Sequence, residues 1–163
     1  MTVDVRPAIV DDVEEIVEVA EAAWYAAYGG FLDPATIVAA IGEYYDPPLL
    51  EAAVEREGIP FYTADDGEVV GFASAERTWA DEVELHTIYV HPERWGEGIG
   101  SALLNRVVEW ADDEGVDRIV CGVFEENAVG VGFFESRGFE RGHGSEAEVM
   151  GERHPEREFE RRI

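Results

Sequence analysis

The chain contains no lysine, a single cysteine and four histidines, and it has no apolar run long enough to cross a bilayer. Each shortage closes off a class of function. Without lysine there is no Gly-Lys-Ser/Thr phosphate loop of the Walker type. A lone cysteine, Cys121, cannot form an intrachain disulfide, which suits a reducing compartment, and its setting in RIVCGV reads as a core strand. The histidines are dispersed, and His86 and His91 point to opposite faces of a strand-like segment, so no metal site is expected. The longest uncharged stretch, residues 22–32, falls well short of the roughly 20 residues a spanning helix needs, and MTVDVRPAIVDD places acids where a signal sequence needs an apolar core. A soluble, cytoplasmic protein with no membrane partner is expected.

What is present is acid. Twelve basic residues, all arginine, stand against 37 acidic ones, a formal net charge of −25, with the acids spread along the whole chain. An apolar content of 46% nevertheless supports a core, and 163 residues suit one domain, 1–163. Self-repulsion at this charge weakens a compact state in dilute buffer but is screened in molar salt, where the Debye length is about 3 Å. A halophilic origin is expected. Nucleic acid is excluded as a partner, because no arginine cluster is large enough to overcome the surrounding acid.

Periodicity orders the elements. A short strand at 3–6 precedes a helix in which Val13, Ile16, Val17, Ala20, Ala23, Trp24, Ala27 and Tyr28 form the apolar stripe, with Asp11 and Glu14 as a capping box. Asp33 and Pro34 start a second helix carrying Ile37, Val38, Ile41 and Tyr44, and a third runs over 49–57. Three sequential strands follow, PFYTA, EVVGFASAER and VELHTIYV, the first two joined at Asp65-Asp66-Gly67. A helix after the 91–100 turn, the strand RIVCGVF, a helix at about 127–137 and strands at 139–149 and 159–163 complete the chain. The fold class is α/β, one domain with a mixed, mostly antiparallel sheet flanked by helices.

The segment Arg94-Trp95-Gly96-Glu97-Gly98-Ile99-Gly100-Ser101 lies between a strand and a helix. Glycines there let main chain approach a ligand, and the first N–H groups of the helix, backed by its dipole, can point at phosphate oxygens. The strict alternation of Gly96, Gly98 and Gly100 departs from the Gly-x-Gly-x-x-Gly of dinucleotide folds. With YVHP before it and SALL after it, the turn resembles the acetyl-CoA signature of the GCN5-related N-acetyltransferase (GNAT) family, and the likeness extends over most of the chain. In that family an Arg or Gln opens the pattern, where this chain has Trp95; Arg94 is the neighbouring charge. Downstream, Asn127, Phe133, Phe134, Gly138 and Phe139 keep the family's frame, with Phe134 where a Tyr is usual. AAWYAAYGGFLDP resembles the family's first helix pair, which lines the acceptor pocket.

The resemblance implies an acyl-CoA N-acyltransferase fold and acetyl-CoA-dependent acetylation of a small-molecule or protein amine, with acetyl-CoA as cosubstrate and no metal. It implies main-chain contacts from Ile88, Tyr89 and Val90 to the pantetheine arm, a bulge-like splay between this strand and RIVCGVF that admits the cofactor, the residues from Arg94 to Ser101 on the diphosphate, and Asn127 and Phe134 beside the cofactor. Tyr28 is an acceptor-site candidate. An amine attacks only when neutral, so a base is required. By period-two alternation Glu84, His86, Ile88 and Val90 share a face, which makes Glu84 the leading candidate and His86 the second. Phe134 removes the usual acid, yet a thiol with a pKa of about 8.5 can leave as thiolate. A rival reading is a CoA-sensing module with little or no turnover. The terminal EREFERRI reads as an edge strand that could pair across a homodimer.

Overall fold

In the computed structural model, which describes residues 3–163, the chain forms one seven-stranded sheet with helices on both faces. Strand β1 (Asp4–Pro7) leads through a 3-10 turn into α1 (Val13–Tyr28), α2 (Pro34–Tyr44) and α3 (Pro47–Glu55). Then come β2 (Phe61–Asp65), β3 (Val69–Trp79), β4 (Glu82–Val90), α4 (Ile99–Asp113), β5 (Arg118–Phe124), α5 (Ala128–Glu135), β6 (Glu140–Val149) and β7 (Glu152–Arg162). The order across the sheet is β1-β2-β3-β4-β5-β7-β6, antiparallel throughout except for β4 beside β5. None of the described helices is long and apolar enough to cross a membrane.

Two apolar clusters, one on each face, hold the layers together. On one face α4 presents Ile99, Leu103, Leu104, Val107 and Ala111 to Val83, Leu85, Ile119 and Phe159. On the other, α1 and α2 press Ile16, Trp24 and Ile37 onto Phe72. Strand β3 is buried on both faces from Val69 to Ala75, as expected of a central strand written in small and branched residues. Within it Gly71 is needed for close packing: a Cβ there would sit 3.0 Å from the Tyr89 carbonyl oxygen and 3.1 Å from a Leu103 methyl.

Several local expectations are corrected. The acid at the head of α1 is Asp12, not Asp11: it accepts from the Ile9 N–H at 2.9 Å and takes a two-pronged contact from Arg6 at 2.8 and 2.9 Å. Burial works to raise its carboxyl, but Arg6 and the Ile9 N–H outweigh that and hold it below the usual range. Val19, not Val17, is fully buried on α1. Val38 and Tyr44 of α2 face outward, because α2 is covered on one side only, through Ile37 and Ala40. Asp33 does cap α2, accepting from the Ala35 N–H at 2.9 Å.

The largest difference is at the C-terminus. Strand β7 starts at Glu152, seven residues before the expected Phe159, and lies between β5 and β6 instead of at the edge. A two-residue turn, Met150 and Gly151 with φ of 48° and 87°, closes the β6–β7 hairpin. The turn lacks the usual Asn-Gly or Asp-Gly signal, and the Glu, His and Arg of 152–158 mask the strand in the sequence. EREFERRI therefore has no free edge to offer a second copy.

Candidate functional site

Strands β4 and β5 are paired for only three residues, Glu82 with Arg118, Val83 with Ile119 and Glu84 with Val120, and then separate. The cause is a bulge. The β3–β4 register moves by one between Ser74–Thr87 and Ala75–Leu85, leaving His86 as the extra residue and bending β4 away from β5. Leu85–Val90 and Cys121–Phe124 become facing walls of a cavity of about 690 Å³. The β5-facing main chain of residues 85–90 has no strand partner among the described residues.

The cavity runs into the 91–101 turn. Trp95 braces that turn, its indole N–H donating to the Val90 carbonyl at 2.9 Å. Gly96 and Gly98 take φ of 82° and 84°, a left-handed region costly for other residues. α4 then begins at Ile99, and the N–H groups of Ile99, Gly100 and Ser101 have no acceptor within the helix. Gly100 also has a packing reason: a Cβ there would lie 2.7 Å from the Phe133 ring. Arg94 is engaged by Asp66 and, at 3.0 Å, by Glu97, so its charge clamps the turn to the β2–β3 loop.

The free cation here is one that sequence reasoning missed. Arg137, just past α5, donates to the Ser101 hydroxyl at 2.9 Å and lies 3.8 Å over the Phe133 ring. No carboxylate pairs with it among the described residues. Its signal was absent because only the packing of α5 on α4 brings residue 137 to residue 101. Asn127, buried, caps α5 by accepting from the Gly130 N–H at 3.0 Å. That contact explains Gly130, where a Cβ would fall 2.4 Å from the Asn127 amide nitrogen. Phe134 is buried against Phe133, Phe139 and Phe159 and brings no hydroxyl to the wall it helps form.

The other end of the cavity is made of side chains from separated elements. The Tyr28 and Tyr89 hydroxyls are 2.9 Å apart, and Tyr28 meets Phe31 and Phe124 edge-on. Burial raises both phenols, which stay protonated. The Cys121 thiol is pushed up to about 12 by burial, with the charges of Glu158, Glu156 and Glu84 adding to the effect, so it stays a thiol near neutrality.

The bulge also corrects the face assigned to Glu84. Val83 and Leu85 share the α4-side cluster with Ile88 and Val90, whereas Tyr89 belongs to the opposite one. Glu84 is half exposed, 3.8 Å from His86, and is not part of the cavity wall; His86 is, with Glu76 at 3.9 Å on its other side. The carboxylate in the wall is Glu156 of β7, which the sequence reading passed over. Burial, then the charge of Glu84, raises its carboxyl. The signal was the alternation of Glu156, Glu158 and Glu160 in EREFERRI, but only the pairing of β7 with β5 shows which face that parity takes. Among the described residues no cluster of three or more His, Cys, Asp or Glu side chains is placed to hold a metal.

Comparison with known proteins agrees with this geometry. A family model described as "Acetyltransferase (GNAT) family" matches residues 16–139. The chain is 27% identical over 152 residues to an uncharacterized N-acetyltransferase of Methanocaldococcus jannaschii, covering 85% of this chain and 61% of that protein. It is 28% identical over 144 residues to a spermidine N(1)-acetyltransferase of Thermoplasma acidophilum, covering 85% and 89%. The crystal structure of PaiA N-acetyltransferase from Thermoplasma acidophilum in complex with coenzyme A superposes with a TM-score of 0.88 at 24% identity, covering 100% of both chains. This chain thus spans about three fifths of the Methanocaldococcus relative's length.

Proposed function

The chain belongs to the GNAT acetyltransferase family, and from that premise we propose that it transfers an acetyl group from acetyl-CoA to an amine of a small molecule or a protein. The observation that carries this reading is the continuity of the cavity. The unpaired edge of β4 runs straight into the free N–H groups at the start of α4. Acetyl-CoA would supply the activated acyl group as a thioester.

The residues fit that group. The N–H groups of Ile99, Gly100 and Ser101, with the helix dipole behind them, suit a diphosphate. Gly96 and Gly98 leave the approach clear: a Cβ at either would meet nothing within 4 Å, so their function is the backbone turn itself. Arg137 adds the positive charge that Trp95 does not carry. The open main-chain edge of Ile88, Tyr89 and Val90 would pair with the amide-bearing pantetheine arm, and an N–H of that edge would polarise the thioester carbonyl. Asn127 and Phe134 would flank the arm on the β5 side.

On the acceptor side Tyr28, Phe31 and Phe124 make an aromatic wall with carboxylates near it, a setting that favours an alkylammonium group. The relative named for spermidine acts on such a molecule. With Phe134 in place of a hydroxyl, the sulfur departs as thiolate or takes its proton from water or another hydroxyl.

Calorimetry with acetyl-CoA in concentrated KCl, followed by thiol release over a panel of amines, tests the proposal. Micromolar binding with amine-dependent release is the expected result. Binding without release from any amine would favour the sensing module, and no binding at all would overturn both readings. Measurement in molar salt also tests the halophilic expectation.

A further inference from the structure

We infer that Glu156 is the general base of this site: its carboxylate removes the proton that keeps the acceptor amine from attacking. The inference rests on the acetyl-transfer reading above and adds to it the residue that deprotonates an alkylammonium acceptor. Three observations carry it.

Glu156 stands in the cavity wall, on the face of the sheet that also carries the acceptor-side aromatics. It pairs across β5 with Phe124, and its carboxylate reaches back over Gly122, where a Cβ would be 2.7 Å from its Oε1. A glycine at 122 is thus what lets the carboxylate lie over the mouth between β4 and β5.

The carboxylate is also uncommitted. The acids flanking it on β7 and just past β5 have partners: Glu125 binds Arg157 at 2.6 Å, and Glu126 and Glu152 hold His154 at 2.7 and 3.0 Å. Among the described residues no hydrogen bond or ion pair engages the Glu156 side chain. In a chain this rich in arginine–carboxylate pairs, a half-buried carboxylate left open to a cavity is placed for a ligand's cation.

Its electrostatic setting matches the task. The titratable groups around it are Glu84 from β4, Cys121 from β5, Tyr28 from α1, and Glu158 and His154 from its own strand. Desolvation and Glu84 raise its proton affinity, which brings the base nearer the operating range. Glu84, the leading candidate from sequence, becomes a positioning residue that acts through its charge on Glu156. The balance is simple. Glu156 takes one proton from the bound ammonium and passes it to solvent. The freed lone pair forms the C–N bond, the C–S bond breaks, and the second N–H proton ends on the coenzyme A sulfur, so one proton is released per turnover.

The test compares wild type with Glu156→Gln on two kinds of amine, alkylamines that are protonated at pH 7 and weakly basic amines, such as methoxyamine, that are already neutral. The expected result is a loss of about 100-fold or more in kcat/KM for alkylamines, within the range for a lost base, a loss of a few-fold at most for neutral amines, and unchanged acetyl-CoA affinity by calorimetry. Independently of turnover, infrared titration is expected to show a carboxylic acid band with a midpoint above that of ordinary glutamate. The band is absent in Glu156→Gln and moves to lower pH in Glu84→Gln. Gly122→Ala, which crowds the carboxylate, is expected to lower alkylamine turnover while leaving acetyl-CoA binding intact. Equal losses for both amine kinds, no loss for alkylamines, or an infrared midpoint unaffected by Glu156→Gln would each overturn the assignment. Failure of wild type to bind acetyl-CoA or to acetylate any amine would instead overturn the reading beneath it.

Discussion

At one end of the cavity the groups that would meet a ligand are main-chain N–H groups from a contiguous run, residues 96–101; at the other they are side chains from α1, β4, β5 and β7. The first end depends on backbone conformation, enforced by two left-handed glycines and the start of a helix. The second depends on where strands diverge and which parity each takes. The turn is therefore encoded locally, whereas the side-chain end can be changed by substitutions far apart in the chain without touching the turn.

The sharpest way to break the comparison is at Gly98. A β-branched side chain at φ of 84° is strained by about 1–3 kcal/mol, so Gly98→Val should cost roughly 10- to 100-fold in acetyl-CoA affinity by calorimetry. Retained affinity would mean the turn does not hold the ligand. Asp12→Asn removes the charge that Arg6 grips at the root of α1, a loss of about 2 kcal/mol. Its thermal midpoint should fall roughly 4–8 °C, with acetyl-CoA affinity in the folded protein unchanged if the two ends are independent.

Arg137→Ala should weaken acetyl-CoA about tenfold and flatten the salt dependence of binding, measured by calorimetry from low to molar KCl. The smallest effect belongs to the rim of the acceptor end. His154 bridges Glu126 and Glu152, and Glu152 in turn accepts from the Asp33 N–H at 3.2 Å, tying β7 to the α1–α2 loop. The bond to Glu126 raises the imidazole above its ordinary value, so its stabilisation is complete below about pH 6.5 and is lost as pH rises through the raised folded value. His154→Gln should remove that pH dependence from the thermal midpoint, a change under about 1 kcal/mol.

Much of the turn was legible. The strand–glycine–helix succession and the spacing of Gly96, Gly98 and Gly100 lie within one stretch of chain, where local rules apply. The packing of Gly100 on Phe133 and the pairing of Arg94 with Asp66 were not legible, because those partners are distant in sequence. The acceptor end was legible only in its aromatics. The resemblance implied a splay beside this strand, but ELHTIYV fits an unbroken alternation and does not place the bulge at His86, which is set by the fit of β4 to β3. Reading the alternation straight through assigned Glu84 the face of Ile88. Reading EREFERRI as an exposed edge strand left Glu156 out of the candidates, although the segment begins with it.

The sequence by itself determined the α/β class, the acidic surface and the backbone of the glycine turn before α4, because composition, periodicity and φ preference act over a few residues at a time. Only the tertiary structure decided that β7 lies inside the sheet, that Arg137 reaches the head of α4 and that Glu156 faces the cavity. The physical reason is that a one-residue change in strand register moves every later side chain to the opposite face, and the pairing that sets the register is made between segments far apart in the chain.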